Sequence, residues 1–372
     1  MTSAPVHIGL RAAALAGDVV EVEVFDGWPL VLHTLALRDL CSCPECRNPV
    51  SGQRLFESAH VLPQTRARAV AVSSEGALLL EWTDGHRSTY SPSDLMQASA
   101  PPPAAPPEIL WGAERASSLS WHAWDMVAAD RCALSAWLRE AAVFGFSLLR
   151  GVPLVSGAVE QVAETFGAVR ETNYGRVFDV RVSVDATNLA DTALPLSPHT
   201  DNPYRRPTPT LQLLHCLSSG VEGGETVLVD GFALVERIGR ETPDSLAVLA
   251  RTPIRYAYRD RQTELATDIP VVTLNGDGAP AALHLNNRSK GAPAGSPEQV
   301  RDWYDAYLAL LALVDDRAQQ VVFRLEPGDL VLFDNERILH GRTGFTGGGS
   351  RQLQGCYADR DGLLSTLAVL SR

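Results

Sequence analysis

The sequence predicts a mainly β protein of two domains, in which the larger domain is a barrel or jelly roll. One reason is a series of short apolar runs separated by glycine and proline turns, which is typical of strands. Another is a stretch, 100–107, made only of Pro and Ala, which favours extended polyproline conformation and cannot build a core. The length of 372 residues also exceeds the size at which a single core usually stops growing.

The N-terminal domain is predicted to cover residues 1–97 and to be rich in strands. Valines alternate with glutamates from Val20 to Val24, and a period of two indicates a strand. We expect the apolar run Leu30–Leu37 to continue the sheet after a turn at Asp26–Gly27. Two further strands and a turn are predicted here: Arg68–Val72, Ala77–Trp82 and Asp84–Gly85.

Three of the six cysteines, Cys41, Cys43 and Cys46, are crowded together in this domain. Crowded thiols in a long chain without a secretion signal more often bind metal than form disulfides. Three thiolates suit a structural zinc site, which needs a fourth ligand and takes no part in catalysis. The alternative is three reduced cysteines without a metal.

A linker at 98–108 is predicted to lead into the larger domain, 109–372. The pattern from Asp130 to Val143 predicts a helix, and Phe144–Arg150 predicts a buried strand. One helix, Pro297–Leu313, is expected among the later strands. Those strands are predicted at Leu211–His215, Thr226–Val229, Val271–Leu274, Ala281–Leu285, Gln319–Leu325, Leu330–Phe333 and Arg351–Tyr357.

The charge balance argues against nucleic acid or an anionic membrane as the main partner. The net charge is −12, and like charges repel at long range. No apolar run reaches the roughly 18 residues that span a bilayer, and Met1–Leu15 does not resemble a signal peptide. We therefore expect a cytoplasmic protein that acts on a small molecule.

Two histidines and one aspartate form the candidate catalytic site. His199 and Asp201 are two residues apart, so on an extended segment their side chains share a face. His340 lies far downstream. Two imidazoles and one carboxylate form the facial triad of non-haem iron(II) oxygenases, which leaves coordination positions open for 2-oxoglutarate and O2.

Two more residues make this interpretation more specific than the triad alone. Arg351 follows His340 at the start of a predicted strand, and its guanidinium can clamp the distal carboxylate of 2-oxoglutarate. Thr226 offers a hydroxyl that can assist. Each residue by itself is commonplace, whereas all five in this order among strands are not.

Six motifs run through the chain: LRDLCSCPEC (37–46), HTDNPYRRPTPTLQLLHCL (199–217), GGETVLVDGF (223–232), LHLNN (283–287), GDLVLFDNERILHGR (328–342) and RQLQGCYADRD (351–361). By these motifs the sequence resembles the γ-butyrobetaine hydroxylase and trimethyllysine hydroxylase family of Fe(II)- and 2-oxoglutarate-dependent oxygenases, over nearly the whole chain. The resemblance implies that His199, Asp201 and His340 bind iron and that Arg351 binds 2-oxoglutarate. It also implies a double-stranded β-helix with flanking helices, often assembled as a homodimer.

The resemblance further implies a fourth zinc ligand and an aromatic cage for a cationic substrate. His86 matches the position of the zinc ligand, and His60 is its rival. Tyr174 and Tyr357 match two positions of this cage, and Phe178 keeps an aromatic ring at a third position. At the fourth cage position, where a Tyr is expected from the family, this sequence has Asp191, whose carboxylate can pair with a cation or accept hydrogen bonds from an amine.

Polar residues are expected to hold the opposite, anionic end of the substrate. Asn188, Asn286 and Asn287 are amide candidates, and Arg288 adds a positive charge that suits a carboxylate or, better, a phosphonate. The expected reaction is hydroxylation of a C–H bond, with a trimethylammonium ethylphosphonate favoured as substrate. The alternatives are γ-butyrobetaine hydroxylation, desaturation or bond cleavage by the same iron chemistry, and a non-catalytic binder of metal or 2-oxoglutarate.

Overall fold

The computed structural model describes residues 9–24, 29–99, 106–181, 192–346 and 350–372. The chain divides into two compact units, Met1–Ala104 and Ala105–Arg372. Most of the predicted linker, 98–108, lies outside the described residues.

The smaller unit contains two three-stranded antiparallel sheets, β1–β2–β3 and β4–β5–β6, and three short helices. The strands are β1 (Leu10–Ala16), β2 (Val19–Val24), β3 (Leu30–His33), β4 (Ala67–Val72), β5 (Leu78–Trp82) and β6 (Arg87–Tyr90). The helices are α1 (Thr34–Leu40), α2 (Ser58–Val61) and α3 (Pro92–Ser99). Side chains from both sheets, including Val20, Val22, Leu78 and Leu80, share one apolar core.

One prediction in this unit was wrong, since the run Leu30–Leu37 is not a single strand. The strand ends at His33, whose side chain accepts a hydrogen bond from the backbone N–H of Leu35 and caps helix α1. This cap favours a helix over a continued strand. Leu37 lies in this helix and is buried in the core. The helix ends directly before the first cysteine of the cluster. The expected turn at Asp26–Gly27 lies outside the described residues.

The larger unit is a jelly roll with flanking helices. Its strands are β7 (Trp121–Ala123), β8 (Phe146–Arg150), β9 (Val169–Arg170), β10 (Phe178–Arg181), β11 (Leu196–His199), β12 (Leu211–Ser219), β13 (Glu222–Gly223), β14 (Thr226–Asp230), β15 (Pro253–Arg259), β16 (Glu264–Pro270), β17 (Val272–Leu274), β18 (Pro280–Leu283), β19 (Gln320–Phe323), β20 (Leu330–Asp334), β21 (Ile338–Arg342), β22 (Phe345–Thr346) and β23 (Arg351–Ala358). Its α-helices are α4 (Trp124–Ala129), α5 (Arg131–Phe144), α6 (Ala158–Glu164), α7 (Gly231–Glu241), α8 (Pro243–Arg251), α9 (Pro297–Asp315) and α10 (Arg360–Leu370).

Two sheets form the double-stranded β-helix. The major sheet has the order β10–β23–β12–β20–β8–β7, with β9 paired to β23, and the minor sheet has the order β11–β21–β14–β19. Apolar side chains of the two sheets pack into one cluster, with Phe146 and Phe333 from the major sheet and Leu228 and Ile338 from the minor sheet. The predicted fold class is confirmed.

The expectation of a single helix among the later strands was wrong. Helix α9 is present and begins with a capping box between Ser296 and Gln299. Helices α7 and α8, however, also lie between strands. Helix α7 begins where Asp230 accepts a hydrogen bond from the backbone N–H of Phe232, and its apolar face is buried. The apolar pattern of a segment as short as α7 fits either a strand or a helix, and the cap at Asp230 favours the helix.

A buried ion pair holds the ends of two core strands together. Arg337, in the turn before β21, donates to both carboxylate oxygens of Asp230 at the end of β14, at 3.1 and 2.8 Å. It also donates to the carbonyls of Val143 and Ile109. The side chains are 1% and 0% exposed, so the pair is fully desolvated. It fixes the strand that carries His340.

Candidate active site

Two neighbouring strands of the minor sheet bring the predicted triad together. His199 is the last residue of β11 and His340 lies in β21, where the two residues are direct cross-strand partners. Asp201 follows two residues after His199, and its carboxylate oxygens lie 3.3 Å from His199 Nε2 and 3.7 Å from His340 Nε2. One ligand atom from each side chain lies within 4.8 Å of the others.

The protonation of these side chains fits a metal centre. His199 Nδ1 lies 3.0 Å from the carbonyl oxygen of Ser197, which can only accept, so Nδ1 carries the proton and Nε2 presents a lone pair. Burial lowers the pKa of His340 to about 3, so its imidazole is neutral near pH 7.

The spacing supports the same conclusion. Nε2 of His199 and the Asp201 carboxylate face each other as two acceptors, which repel unless a cation lies between them. Ligands about 2.1 Å from an ion and at right angles to each other are separated by about 3.0 Å. The observed 3.3 and 3.7 Å are close to that value. The three residues can therefore hold a divalent metal on one face.

Asn335 holds the aspartate in place, and sequence reasoning missed it. Its side chain accepts from the backbone N–H of Asp201 at 2.7 Å and donates to the Asp201 carbonyl at 2.9 Å. From the other side, Tyr357 donates its hydroxyl hydrogen to Asp201 Oδ2 at 3.1 Å. The ring of Phe333 packs against His340 with centroids 4.7 Å apart. Such contacts orient metal ligands before a metal binds.

The triad opens into a cavity of about 990 Å³ between the two sheets. Of the predicted site residues within the described part of the chain, those that line it are His199, Asp201, His340, Thr226, Arg351, Tyr174, Phe178, Asn286, Arg288 and Tyr357. Asn287 is exposed and does not line it. Asn188 and Asp191 lie outside the described residues.

Arg351 and Thr226 lie on facing sheets in this cavity. Arg351 begins β23, and its guanidinium makes one backbone hydrogen bond, to Gly224 at 3.3 Å. Burial lowers its pKa, since the charged form is partly desolvated. A Cβ at Gly224 would lie 3.1 Å from Arg351 Nε, and the positive φ of this residue also favours glycine. Most of the guanidinium donors thus stay available to an anion.

Aromatic rings form one side of the cavity. Phe178 stacks on Tyr357 with centroids 5.1 Å apart, and Tyr174 lies 6.3 Å from Phe178. Two rings that sequence reasoning missed extend this side: Tyr258 stacks on Tyr204 at 5.2 Å and meets Tyr174 edge-on at 5.8 Å. Tyr204 follows the HxD motif, which is a usable local signal. Tyr258, in β15, has none.

A glycine and an amide complete this part of the cavity. A Cβ at Gly355 would overlap the ring of Phe178, so glycine is required for Phe178 to pack on Tyr357. Gln212 lines the cavity and is 2% exposed, and its Oε1 has no hydrogen-bond partner among the described residues. An unpaired buried amide costs about 1–3 kcal/mol, so a ligand or water is expected to satisfy it.

The polar residues differ in availability. The amide of Asn286 donates to the carbonyl of Thr200 at 2.9 Å and accepts from the backbone N–H of Arg288, so it supports the segment between the candidate metal ligands His199 and Asp201. Arg288 lines the cavity, and its guanidinium has no ion pair or hydrogen bond with a described residue. Its guanidinium therefore remains available to a ligand.

A second cluster in the smaller unit contains the three cysteines and His86. His86 Nε2 lies 3.3, 3.7 and 3.5 Å from the sulfur atoms of Cys41, Cys43 and Cys46. Tetrahedral zinc with ordinary bond lengths places nitrogen and sulfur ligands about 3.6 Å apart. His60 is exposed and is not in the cluster. The four residues fit a structural zinc ion.

Arg38 and Asp84 connect the two segments that supply this cluster. Arg38 donates to Cys46 Sγ at 3.1 Å and lies 3.6 Å from the Asp84 carboxylate. Asp84 accepts from the backbone N–H of His86 at 2.9 Å. Three thiolates and Zn²⁺ carry a net charge of −1, which the Arg38 cation offsets.

Comparison with known proteins identifies the family. Residues 103–357 match the model of the taurine catabolism dioxygenase TauD, TfdA family, and residues 13–96 match the N-terminal model of γ-butyrobetaine hydroxylase-like proteins. The chain is 34% identical, over 99% of its length and 98% of the relative, to a γ-butyrobetaine dioxygenase of Pseudomonas sp. (strain AK-1). The chain belongs to this dioxygenase family.

Other relatives are more distant. A mitochondrial trimethyllysine dioxygenase of Gallus gallus is 30% identical over 96% of this chain and 87% of its own length. A solved asparagine oxygenase in complex with Fe(II), hydroxyasparagine and succinate is 22% identical, with a TM-score of 0.48, over 61% of this chain and 78% of that one.

Family membership confirms the enzyme class expected from the motifs. The chain is an Fe(II)- and 2-oxoglutarate-dependent dioxygenase of the γ-butyrobetaine hydroxylase-like type. No helix in the described parts of this dioxygenase has both the length and the apolar character needed to cross a membrane.

Proposed function

We propose that this dioxygenase hydroxylates a C–H bond of a small zwitterion with a cationic ammonium group at one end and an anionic group at the other. The observation that supports it best is one cavity with aromatic rings on one side, an unpaired arginine on another and a candidate metal triad between the sheets. Its relatives are named for γ-butyrobetaine and trimethyllysine, which both carry a quaternary ammonium.

His199, Asp201 and His340 are the proposed iron ligands. When bound, Fe(II) would activate O2, the oxidant, with 2-oxoglutarate as the co-reductant that becomes succinate and CO2, so that one oxygen atom enters the succinate and the other enters the C–H bond. Tyr357 and Asn335 keep the Asp201 carboxylate aimed at the metal position. Arg351 clamps the distal carboxylate of 2-oxoglutarate, and the Thr226 hydroxyl assists it. An aspartate at position 201 favours hydroxylation over halogenation, since a halogenase needs that position vacated for a halide.

The cationic end of the substrate is proposed to bind among the rings. Ring faces attract a cation that has no hydrogen to donate, and each close ring adds about 0.5–2 kcal/mol. Tyr174, Phe178 and Tyr357 are the rings proposed to surround this position, and Tyr204 and Tyr258 extend the same side of the cavity. The rings also exclude water, which keeps the attraction strong.

The anionic end is proposed to bind Arg288 together with the amide of Asn188. An unpaired guanidinium in a cavity favours an anion, and a doubly charged phosphonate gains more from it than a carboxylate does. We therefore favour a trimethylammonium ethylphosphonate. A γ-butyrobetaine substrate is the second candidate, favoured by the 34% identical relative named for it.

The test is a substrate panel with the iron-loaded enzyme. γ-Butyrobetaine, trimethyllysine and 2-(trimethylammonio)ethylphosphonate are each assayed for substrate-dependent succinate and for product mass. We expect the phosphonate to gain one oxygen atom with the highest kcat/KM. If the enzyme turns over γ-butyrobetaine and does not turn over the phosphonate, the proposal that the phosphonate is the substrate is refuted. Loss of two hydrogens, or fragments, would replace hydroxylation by desaturation or cleavage.

Two variants test the proposed ends of the substrate. Arg288→Gln is expected to weaken the phosphonate about 10-fold to 100-fold more than a neutral-tailed quaternary amine, because charged hydrogen bonds contribute about 1.5–3 kcal/mol. Asp191→Tyr is expected to change the preference among quaternary and primary amines. Unchanged selectivity in either variant would remove that residue from the substrate site.

The zinc site, the domain limits and the homodimer stay part of this proposal. Cys41, Cys43, Cys46 and His86 are the proposed ligands of one structural zinc ion. Metal analysis of the purified protein should find one zinc beside the iron, and its mass in solution should be that of two chains.

A further inference from the structure

Lys290 is the only lysine in the chain. Of the 32 lysine and arginine residues, 31 are arginine. The exception lies two residues after Arg288, in the turn that leads from the cavity to helix α9. Because every other position of this kind has an arginine, the single lysine suggests that the compact ammonium group is needed at position 290.

Three aromatic rings of helix α9 surround this ammonium. Lys290 Nζ lies 5.1 Å from the ring centroid of Trp303, 5.6 Å from that of Tyr304 and 5.1 Å from that of Tyr307. It also donates to the carbonyl of Gly291 at 3.1 Å. No ion pair links it to a carboxylate among the described residues. The three rings and the Gly291 carbonyl are therefore the contacts that the described residues offer to this ammonium.

The turn around Lys290 connects the substrate cavity to the scaffold. The backbone N–H groups of Ser289 and Lys290 donate to the carbonyl of Asn286, at 3.3 and 3.2 Å. On the other side, two hydrogen bonds join this turn to strand β15: the backbone N–H of Ala257 donates to the carbonyl of Ser289 at 2.9 Å, and the backbone N–H of Gly291 donates to the carbonyl of Arg255 at 2.7 Å. Asn286, Arg288 and Ser289 line the cavity, whereas Lys290 does not.

We propose that Lys290 is a positioning residue that fixes Arg288 toward the anionic end of the substrate. The ammonium, held over the rings of Trp303, Tyr304 and Tyr307, anchors the turn from outside the cavity. The guanidinium of Arg288 has no ion pair or hydrogen bond with a described residue. The orientation of this side chain therefore depends on the backbone of the turn. The inference rests on the proposed function, because it assumes that Arg288 binds the substrate.

The chemistry of the two cations explains why arginine does not replace lysine here. An ammonium is compact and can be approached by several ring faces at once, whereas a planar guanidinium stacks on one face and is wider. Arginine at position 290 would displace either the rings or the turn.

The first experiment measures kcat and KM of Lys290→Met, which keeps the length of the side chain and removes its charge. With the phosphonate, or whichever anionic substrate the panel selects, KM should rise about 2-fold to 30-fold, the range of a cation–π contact, with kcat changed less than 2-fold. Lys290→Arg should be intermediate. Arg301→Met is the control and should match the parent, because Arg301 is an exposed cation on helix α9, which carries the three rings.

A double-mutant cycle shows whether Lys290 acts through Arg288. In an Arg288→Gln background, Lys290→Met should leave KM unchanged, because the group that it positions is gone. Effects that multiply in the double variant, or an unchanged KM in Lys290→Met alone, would overturn the proposal.

Hydrogen exchange separates this inference from the proposed function. If the panel shows no turnover of any zwitterion, the substrate proposal fails, but the anchor can still be measured. Amide exchange at Ser289 and Lys290 should be faster in Lys290→Met than in the parent and in Arg301→Met. Equal exchange in all three proteins would show that the ammonium does not anchor the turn.

Discussion

Replacing Arg337 by Met should lower the free energy of unfolding of the larger unit by more than a typical substitution on the surface. The guanidinium is 1% exposed and donates four hydrogen bonds, two to Asp230 and one each to the carbonyls of Ile109 and Val143. Methionine fills a similar space but leaves the Asp230 carboxylate, which is 0% exposed, without its countercharge. Removing one partner of such a pair costs about 3–5 kcal/mol.

The expected size can be measured as a melting temperature. For a unit of this size each kcal/mol lowers Tm by about 2–4 °C, so Arg337→Met should lower it by about 6–20 °C. Differential scanning calorimetry of the full chain measures the transition of the larger unit. Arg240→Met is the matched control, because Arg240 is exposed and its contact with Glu241 is 4.0 Å long. It should change Tm by less than about 2 °C.

A double variant tests the reason for the loss. Asp230→Asn keeps the acceptor that caps helix α7 and removes the charge, so the Asp230→Asn, Arg337→Met pair should melt higher than Arg337→Met alone. If Arg337→Met melts within 2 °C of the parent, or if the double variant melts lower than the single one, the uncompensated charge is not what destabilises the protein.

Three further predictions concern the proposed zinc cluster and a partly buried carboxyl group. His86→Ala should lose the zinc, whereas His60→Ala should keep it, as measured by metal analysis after gel filtration. Arg38→Met should weaken zinc binding about 10-fold to 100-fold in chelator competition, the usual effect of losing a group that supports metal ligands, and equal affinity would exclude Arg38 from that role. Burial, and then the charge of Asp334, raise the pKa of Glu336 from 4.5 to about 7. The folded state therefore binds this proton more tightly, and stability falls as pH rises from about 4.5 to about 7. Glu336→Gln should lack this loss, so its Tm relative to the parent should increase across that interval, and a constant difference would contradict the shifted pKa.

The candidate catalytic residues were predictable because their chemistry requires particular residue types at a small number of positions. His199 and Asp201 are separated by one residue, and His340 and Arg351 lie in one short region, so few residues carry the signal. Thiol crowding at Cys41, Cys43 and Cys46 likewise indicated a metal before any fold was known. Their roles as ligands stay predictions, although the geometry brings each set together.

Helix boundaries were less predictable, since pattern and local capping compete. The apolar run Leu30–Leu37 fits a strand by composition, yet the cap at His33 turns its second half into a helix. Helix α7 depends in the same way on Asp230, which also pairs with Arg337 more than 100 residues later. No local window contains that second contact.

The sequence by itself determined which residues are the candidate donors of this dioxygenase, because metal and 2-oxoglutarate recognition require particular atoms at few positions. Only the tertiary structure decided which other side chains share the cavity. Tyr258 reaches Tyr174 through a hairpin and Asn335 reaches Asp201 across 134 positions, whereas Asn287, beside Asn286, points elsewhere. Such contacts follow from strand register and packing, which depend on the whole chain folding at once and not on any short segment.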